Sequence, residues 1–225
     1  MKPKPVPRHA LFIVICMAIA VTGGCSALLP KPAAPPAFYT LDLAQPAPLA
    51  AARPRLPPPD APTLVVTPPH AAAGFDSNRI VYTHEAHQLE YFAKSEWIDT
   101  PARMLAPLIV STLANGGSFR AVLATPSAAA GDIKLDTEVV RLQQDFAVHP
   151  SRVRFTLRAA FVENKTRRVL AWREFDESVA AATEDPAGGV DAANSAVQRV
   201  LQALAALCME AVANWSPTGA ESTRP

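Results

Sequence analysis

The sequence predicts an α+β protein: a mainly antiparallel sheet packed by two principal helices and preceded by a proline-rich tether. Three observations carry this. Ile133 to Val139 alternates strictly between apolar and polar residues and is followed by a second β-rich run, Val153 to Phe161. Two segments, Met104 to Leu113 and Val190 to Ala213, carry apolar residues at helical spacing. Between Ser26 and Pro62 lie 11 of the chain's 23 prolines, too many for that stretch to fold on itself.

The first 24 residues read as a secretory signal: Lys2, Lys4 and Arg8, then an apolar run from Ala10 to Val21, then Thr22, Gly23 and Gly24 before Cys25. The run is too short to span a bilayer as a mature helix. This arrangement resembles the bacterial lipobox, with Thr22 where leucine is usual, and it implies cleavage before Cys25 and acylation of that thiol. Ser26 in second place implies, by the same resemblance, transfer to the outer membrane. Cys16 would leave with the signal and Cys25 would be acylated, so Cys208 alone remains and no intramolecular disulfide can form. Removing the signal's three basic residues leaves 18 basic against 20 acidic ones, a net of about −2, with no sustained Lys/Arg run to suggest nucleic-acid binding.

Within the expected anchor and tether, 25–62, the run 38–43 has strand composition, Phe38, Thr40 and Asp42 alternating with Tyr39, Leu41 and Leu43. The folded domain is expected over 63–215. Thr63 to Val66 reads as a short strand ended by Pro68 and Pro69. Ile80 to Thr83 and Leu89 to Phe92 flank a polar connection and read as a hairpin. His84 and His87, three apart in that connection, do not match the helical zinc-protease spacing and read as an exposed turn. Thr100 and Pro101 read as a helix cap and first position, and Asn115-Gly116-Gly117 as the stop, with a kink or split expected after Arg103 or Met104 because of Pro107. Phe119 to Leu123 fits a short strand.

The runs at 133–139 and 153–161 should pair antiparallel, placing Lys134, Asp136 and Glu138 near Arg154 and Arg158 on the solvent face. Val140, Leu142 and Phe146 continue the apolar set at the opposite parity, which calls for a bulge near Val139 and Val140. Asn164 to Arg167 makes a turn, and Val169 to Phe175 a third strand with both faces partly apolar. In the last helix Val197, Val200, Leu201, Leu204, Leu207, Cys208, Ala211 and Trp215 form one stripe; Ser216-Pro217 ends it, and 216–225 reads as a disordered tail.

No constellation for catalysis stands out, so the reading is non-enzymatic, with no cofactor and no metal site. Gly188-Gly189 has neither a preceding strand nor a following lysine and reads as a loop before a helix rather than a phosphate cradle. Aromatics offer the better lead. Tyr82, Tyr91, Phe92 and Trp97 cluster around one hairpin, and Tyr82, Tyr91 and Trp97 are the candidate partner-binding residues, although for Trp97 core packing is the favoured role. Trp172, within a strand, reads as core.

The order of a lipobox, Phe38-Tyr39-Thr40-Leu41, Arg79-Ile80-Val81-Tyr82, Leu89-Glu90-Tyr91-Phe92, Trp97 and a proline-led helix resembles the ABC-type transport auxiliary lipoprotein family, the PqiC-like proteins. The likeness runs from about Ala37 to Trp215; the Pro/Ala-rich insertion between Ala44 and Pro62 departs from it. What the resemblance implies is a non-enzymatic accessory subunit of a mammalian-cell-entry (MCE) type ABC system that moves lipids between the two membranes, docking with the periplasmic MCE subunit and able to form homo-oligomers. Two other classes stay open: an outer-membrane assembly or lipopolysaccharide-export lipoprotein, and a periplasmic hydrolase, for which the sequence offers no nucleophile or metal cluster.

Overall fold

A computed structural model describes residues 35–43, 57–127 and 129–215. The signal segment, Cys25, most of the tether and the tail from Ser216 lie outside the described residues. The order of elements is β1 (Ala37–Tyr39), β2 (Thr63–Val66), β3 (His70–Ala71), β4 (Arg79–Thr83), β5 (Glu90–Trp97), α1 (Pro101–Asn115), β6 (Ala121–Ala124), β7 (Ile133–Asp145), β8 (Arg152–Glu163), β9 (Val169–Ala180) and α2 (Pro186–Ala213).

The long strand β7 organises one mixed sheet. On one edge it pairs antiparallel with β8, which pairs antiparallel with β9. On its other edge β2, β3 and β4 lie in series, all parallel to it, at Ile133–Leu135, Glu138–Val139 and Gln143–Asp145. β6 then adds to β2 in parallel, β5 to β4 antiparallel, and β1 to β5 in parallel. The α+β class and the long antiparallel ladder between β7 and β8 follow the sequence expectation. The parallel strands along β7 do not announce themselves in it.

Alternation fixes the faces. Ile133, Leu135, Thr137 and Val139 are buried, and the ladder to β8 shifts register between Val139 and Arg141, so that Leu142 and Gln144 return to the buried face. That is the expected bulge, and it lets one strand keep its apolar side inward over its full length. From β8 the facing residues are Val153, Phe155, Leu157, Ala159 and Phe161, each at most 3% exposed. The opposite face carries ion pairs, one within β7, Lys134 to Asp136 at 2.6 Å, and others across strands, Arg154 to Asp176 at 2.6 Å and Arg158 shared between Glu138 at 3.2 Å and Glu174 at 2.7 Å.

Both helices pack into the one core. α2 is long and apolar enough to cross a membrane by length and composition, but Ala196, Val197, Val200 and Leu204 are fully buried within the domain, which accounts for their hydropathy. It starts six residues after Ala180, with Asp185 as its cap: the Asp185 carboxylate accepts from the Gly188 amide at 2.8 Å. Gly188 and Gly189 therefore belong to the first turn of α2 and not to a loop before it. A Cβ on Gly188 would lie 2.5 Å from the Thr183 carbonyl oxygen, and one on Gly189 would lie 2.1 Å from Gln144 Oε1. Their absent side chains permit close approach.

α1 differs from expectation at both its cap and its proline. Thr100 makes no side-chain capping bond; instead Asp99 accepts from the Thr100 amide at 2.7 Å and pairs with Arg103 at 3.1 Å. The helix runs unbroken through Pro107. Pro107 and Arg103 are both exposed, so the Arg103 carbonyl that loses its amide partner lies on the solvent side, where water can satisfy it. Gly117, at φ 67°, supplies the left-handed residue that stops the helix.

Candidate partner-docking site

The register of β4 sets Tyr82 directly opposite Glu90 on β5, and opposite Gln144 on β7. Phe92, two residues beyond Glu90, shares its face. On the other flank the Phe146 amide donates to the Thr83 carbonyl at 2.8 Å, which carries the parallel ladder one step beyond β7 and delivers the Phe146 ring to the same spot. Tyr82 and Phe92 lie 4.4 Å apart between centroids, and Tyr82 meets Phe146 edge-on at 5.7 Å. His84 returns from the hairpin connection to stack on Phe146 at 5.2 Å and meets Tyr82 edge-on at 5.3 Å. Each such pair contributes about 0.5–1.5 kcal/mol beyond its buried area.

One carboxylate fixes the polar rims of this cluster. Glu90 accepts from the Tyr82 hydroxyl at 3.1 Å, and its other oxygen lies 3.2 Å from His84 Nδ1. Desolvation first, then the hydrogen bond and charge of Glu90, raise the Tyr82 phenol above its ordinary value, so it is a permanent donor at neutral pH. Tyr82, Phe92 and Phe146 are half-buried and His84 is exposed. The result is an ordered, amphipathic aromatic surface of the kind that contacts partners at small cost in conformational entropy.

The other two candidate residues fall elsewhere. Tyr91 sits on the opposite face of the hairpin, 37% exposed, with the Arg79 guanidinium 5.0 Å above its ring. Trp97 is 3% exposed and packs in the core, paired in register with Tyr39; its ring cannot serve as a contact surface without unpacking the domain. Of its two weighed roles the structure takes the core. Trp172 goes the other way: it is 61% exposed, opposite Ala160 on the charged face of the sheet, and not in the core. Nothing in the sequence marks Phe146 or His84 as a contact residue; Phe146 belongs there only to the apolar set after the phase change.

A cleft of about 450 Å³ between α1 and the β2–β6 pair is lined by Val66, Pro68, Ala106, Pro107, Val110 and Ala124. The hydroxyls at its edge already have partners, Thr67 donating to Asp136, Thr125 to the Val66 carbonyl and Ser111 to the Leu108 carbonyl. Cys208 is buried, and desolvation pushes its thiol well above the ordinary range, so it is inert. Among the described residues no group of three or more His, Cys, Asp or Glu side chains is placed to hold a metal.

The fold is an α+β unit with both helices packed into one core and an ordered, partly exposed aromatic cluster at its β4–β5 hairpin. The chain belongs to the family of ABC-type transport auxiliary lipoprotein components, whose model matches residues 39–205. Its class is thus that of an auxiliary lipoprotein, which implies a transporter as partner. Among solved structures it is similar to protein XCC0632 from Xanthomonas campestris, at 23% identity and a TM-score of 0.64, over 77% of this chain and 95% of that one. It is also similar to an uncharacterised protein at 12% identity and a TM-score of 0.60, over 77% of this chain and 99% of that one. These likenesses establish the fold. No curated protein matches the chain.

Proposed function

We propose that this protein is a non-enzymatic accessory subunit of an MCE-type ABC system that moves lipids across the Gram-negative envelope. In this reading it is held at the periplasmic face of the outer membrane by acylated Cys25, and it docks with the periplasmic MCE subunit through the β4–β5 hairpin. The observation that carries the reading is the ordered aromatic cluster of Tyr82, Phe92, Phe146 and His84, with Tyr91 exposed on the other side of the same hairpin, in a chain of the auxiliary-lipoprotein family. A half-buried cluster fixed by one carboxylate offers a partner a rigid surface, which suits docking better than turnover.

Capture of the tagged protein from membranes, with mass spectrometry of partners and bound lipid, tests it. The expected partners are an MCE protein and an ABC permease. Tyr91→Ala, at an exposed position, should weaken that capture while leaving the fold intact, as should Tyr82→Ala through the cluster. Unchanged capture by both variants would remove the hairpin from the interface. Co-purification with a β-barrel and no ABC component would replace the lipid-transport reading with outer-membrane assembly or lipopolysaccharide export.

A further inference from the structure

We infer that the β1 edge of the domain rests on the bilayer that holds the anchor, with Phe38 and Ile98 at the lipid headgroup level. Phe38 is 57% exposed and Ile98 63% exposed, so both are large apolar side chains on the surface. They are neighbours by register. Phe38 lies beside Glu96 in the parallel β1–β5 pair, and the Ile98 amide continues that ladder by donating to the Tyr39 carbonyl at 2.7 Å. Tyr39 and Trp97, the residues between, turn to the core, which directs Phe38 and Ile98 outward together.

What covers this patch follows from the chain leading to it. β1 is the first described strand, and twelve chain steps lead from Cys25 to its Ala37. Fully extended they reach at most about 40 Å, so an acyl group at Cys25 keeps this edge within that distance of the bilayer in every orientation of the domain. An apolar pair held so close to a lipid surface is a second, reversible attachment beside the covalent one. Its depth is limited by Glu96, whose carboxylate accepts from Asn78 Nδ2 at 2.8 Å within the same patch. A charged group there permits contact at the headgroups and opposes insertion into hydrocarbon. Lys94, exposed on β5, adds a cation suited to anionic headgroups.

This inference rests on acylation of Cys25, and its test separates the two. Full-length protein carrying Phe38→Cys, Ile98→Cys or, as a control, Trp172→Cys is labelled with an environment-sensitive fluorophore; buried Cys208 and an acylated Cys25 do not react. Each is reconstituted on the outside of phosphatidylethanolamine–phosphatidylglycerol vesicles containing headgroup spin-labelled lipid. Probes at 38 and 98 should shift to shorter emission wavelength on reconstitution and be quenched, while the probe at 172 should keep its aqueous spectrum. Protein that floats with the vesicles while its probes at 38 and 98 read water, like that at 172, overturns the membrane-facing edge and leaves the anchor standing. Protein that stays in the aqueous fraction with an unmodified thiol at 25 overturns both.

Discussion

Replacing Gly188 by alanine sets two physical effects against each other, and the structure decides which wins. Gly188 lies inside the first turn of α2, where alanine is favoured over glycine by about 1 kcal/mol on helix propensity alone. Yet the added Cβ would stand 2.3 Å from Thr183 Oγ1, 2.5 Å from the Thr183 carbonyl oxygen and 2.7 Å from the Thr183 amide nitrogen. Two of those atoms are backbone and cannot rotate away. The loop that holds them is tied down on both sides, by Glu184 accepting from the Ser151 amide at 2.9 Å and by the Ala181 amide donating to the Ser151 carbonyl at 2.8 Å. Relieving the overlap therefore shifts the start of α2 and strains the bond from the Gly188 amide to Asp185. Overpacking costs about 1–3 kcal/mol, and an overlap with two backbone atoms stands in the upper half of that range, about 2–3 kcal/mol, which leaves a net destabilisation of about 1–2 kcal/mol after the propensity gain. For a domain of this size that corresponds to a fall in Tm of roughly 2–8 °C, measurable by calorimetry. Gly116→Ala is the matched control. There the backbone is right-handed at φ −70° and the new Cβ meets nothing nearer than 3.4 Å. That variant should be neutral or gain about 0.4–1 kcal/mol. If Gly188→Ala is as stable as the parent, the close approach at the head of α2 is not a constraint and the reasoning fails.

The two tryptophans should part company on truncation: Trp97→Ala, at 3% exposure, should cost about 3–5 kcal/mol, while Trp172→Ala, at 61% exposure, should stay within about 0.5 kcal/mol, both by denaturant unfolding. Pro107→Ala should stabilise α1 by up to about 3 kcal/mol, because it restores an amide to the unpartnered Arg103 carbonyl; a loss of stability would show that the ring packs to advantage. Three carboxyls sit below their ordinary range: Asp176 through the Arg154 hydrogen bond, Glu184 through the Ser151 amide and Asp185 through the Gly188 amide. Their contribution is complete above the unfolded carboxylate value of about 4 and is lost as pH falls through the lower folded values. Unfolding curves of the parent should therefore steepen in pH dependence below about pH 4, and the combined Asp176→Asn, Glu184→Gln, Asp185→Asn variant should show a shallower acid limb.

What the sequence makes legible is whatever a single element decides for itself. Thr63 to Val66 is a strand with the expected bounds, β7 and β8 follow from their alternation, and the bulge is visible because Leu142 falls on the wrong parity after Val139. Caps and special positions are less legible, since they depend on partners. Thr100 has the right chemistry for a cap, but Asp99 takes the local amide at 2.7 Å and the hydroxyl makes no capping bond. Gly188 and Gly189 look like loop residues until Thr183 and Gln144 are placed against them. Trp172 is ambiguous because β9 is partly apolar on both sides, and its ladder with β8 shifts register between Phe161 and Val162. The inward positions there go to Ala171 and Phe175, which leaves the larger ring outside.

The candidate site shows the same division more sharply. Tyr82 and Phe92 belong to one hairpin, and their proximity follows from the turn between them. Phe146 lies more than fifty residues further along and reaches them only because β4 runs parallel to the last residues of β7. No local pattern signals that pairing. It arises because β7, at 13 residues, is long enough to take β2, β3 and β4 end to end along one edge while β8 fills the other. The bulge at Val139 to Arg141 has a direct consequence for the site. In a regular strand with Val140 in the ladder, Leu142, Gln144 and Phe146 would all face the charged side of the sheet, and Tyr82 would have no ring to meet. Deleting Val140 alone should leave a regular ladder with Leu142 still inward, whereas deleting Val140 and Arg141 together should separate Tyr82 from Phe146 as well as unpack Leu142. The loss of the hairpin's aromatic surface should then accompany the loss of stability, so the feature that holds the core in register also builds the surface offered to a partner.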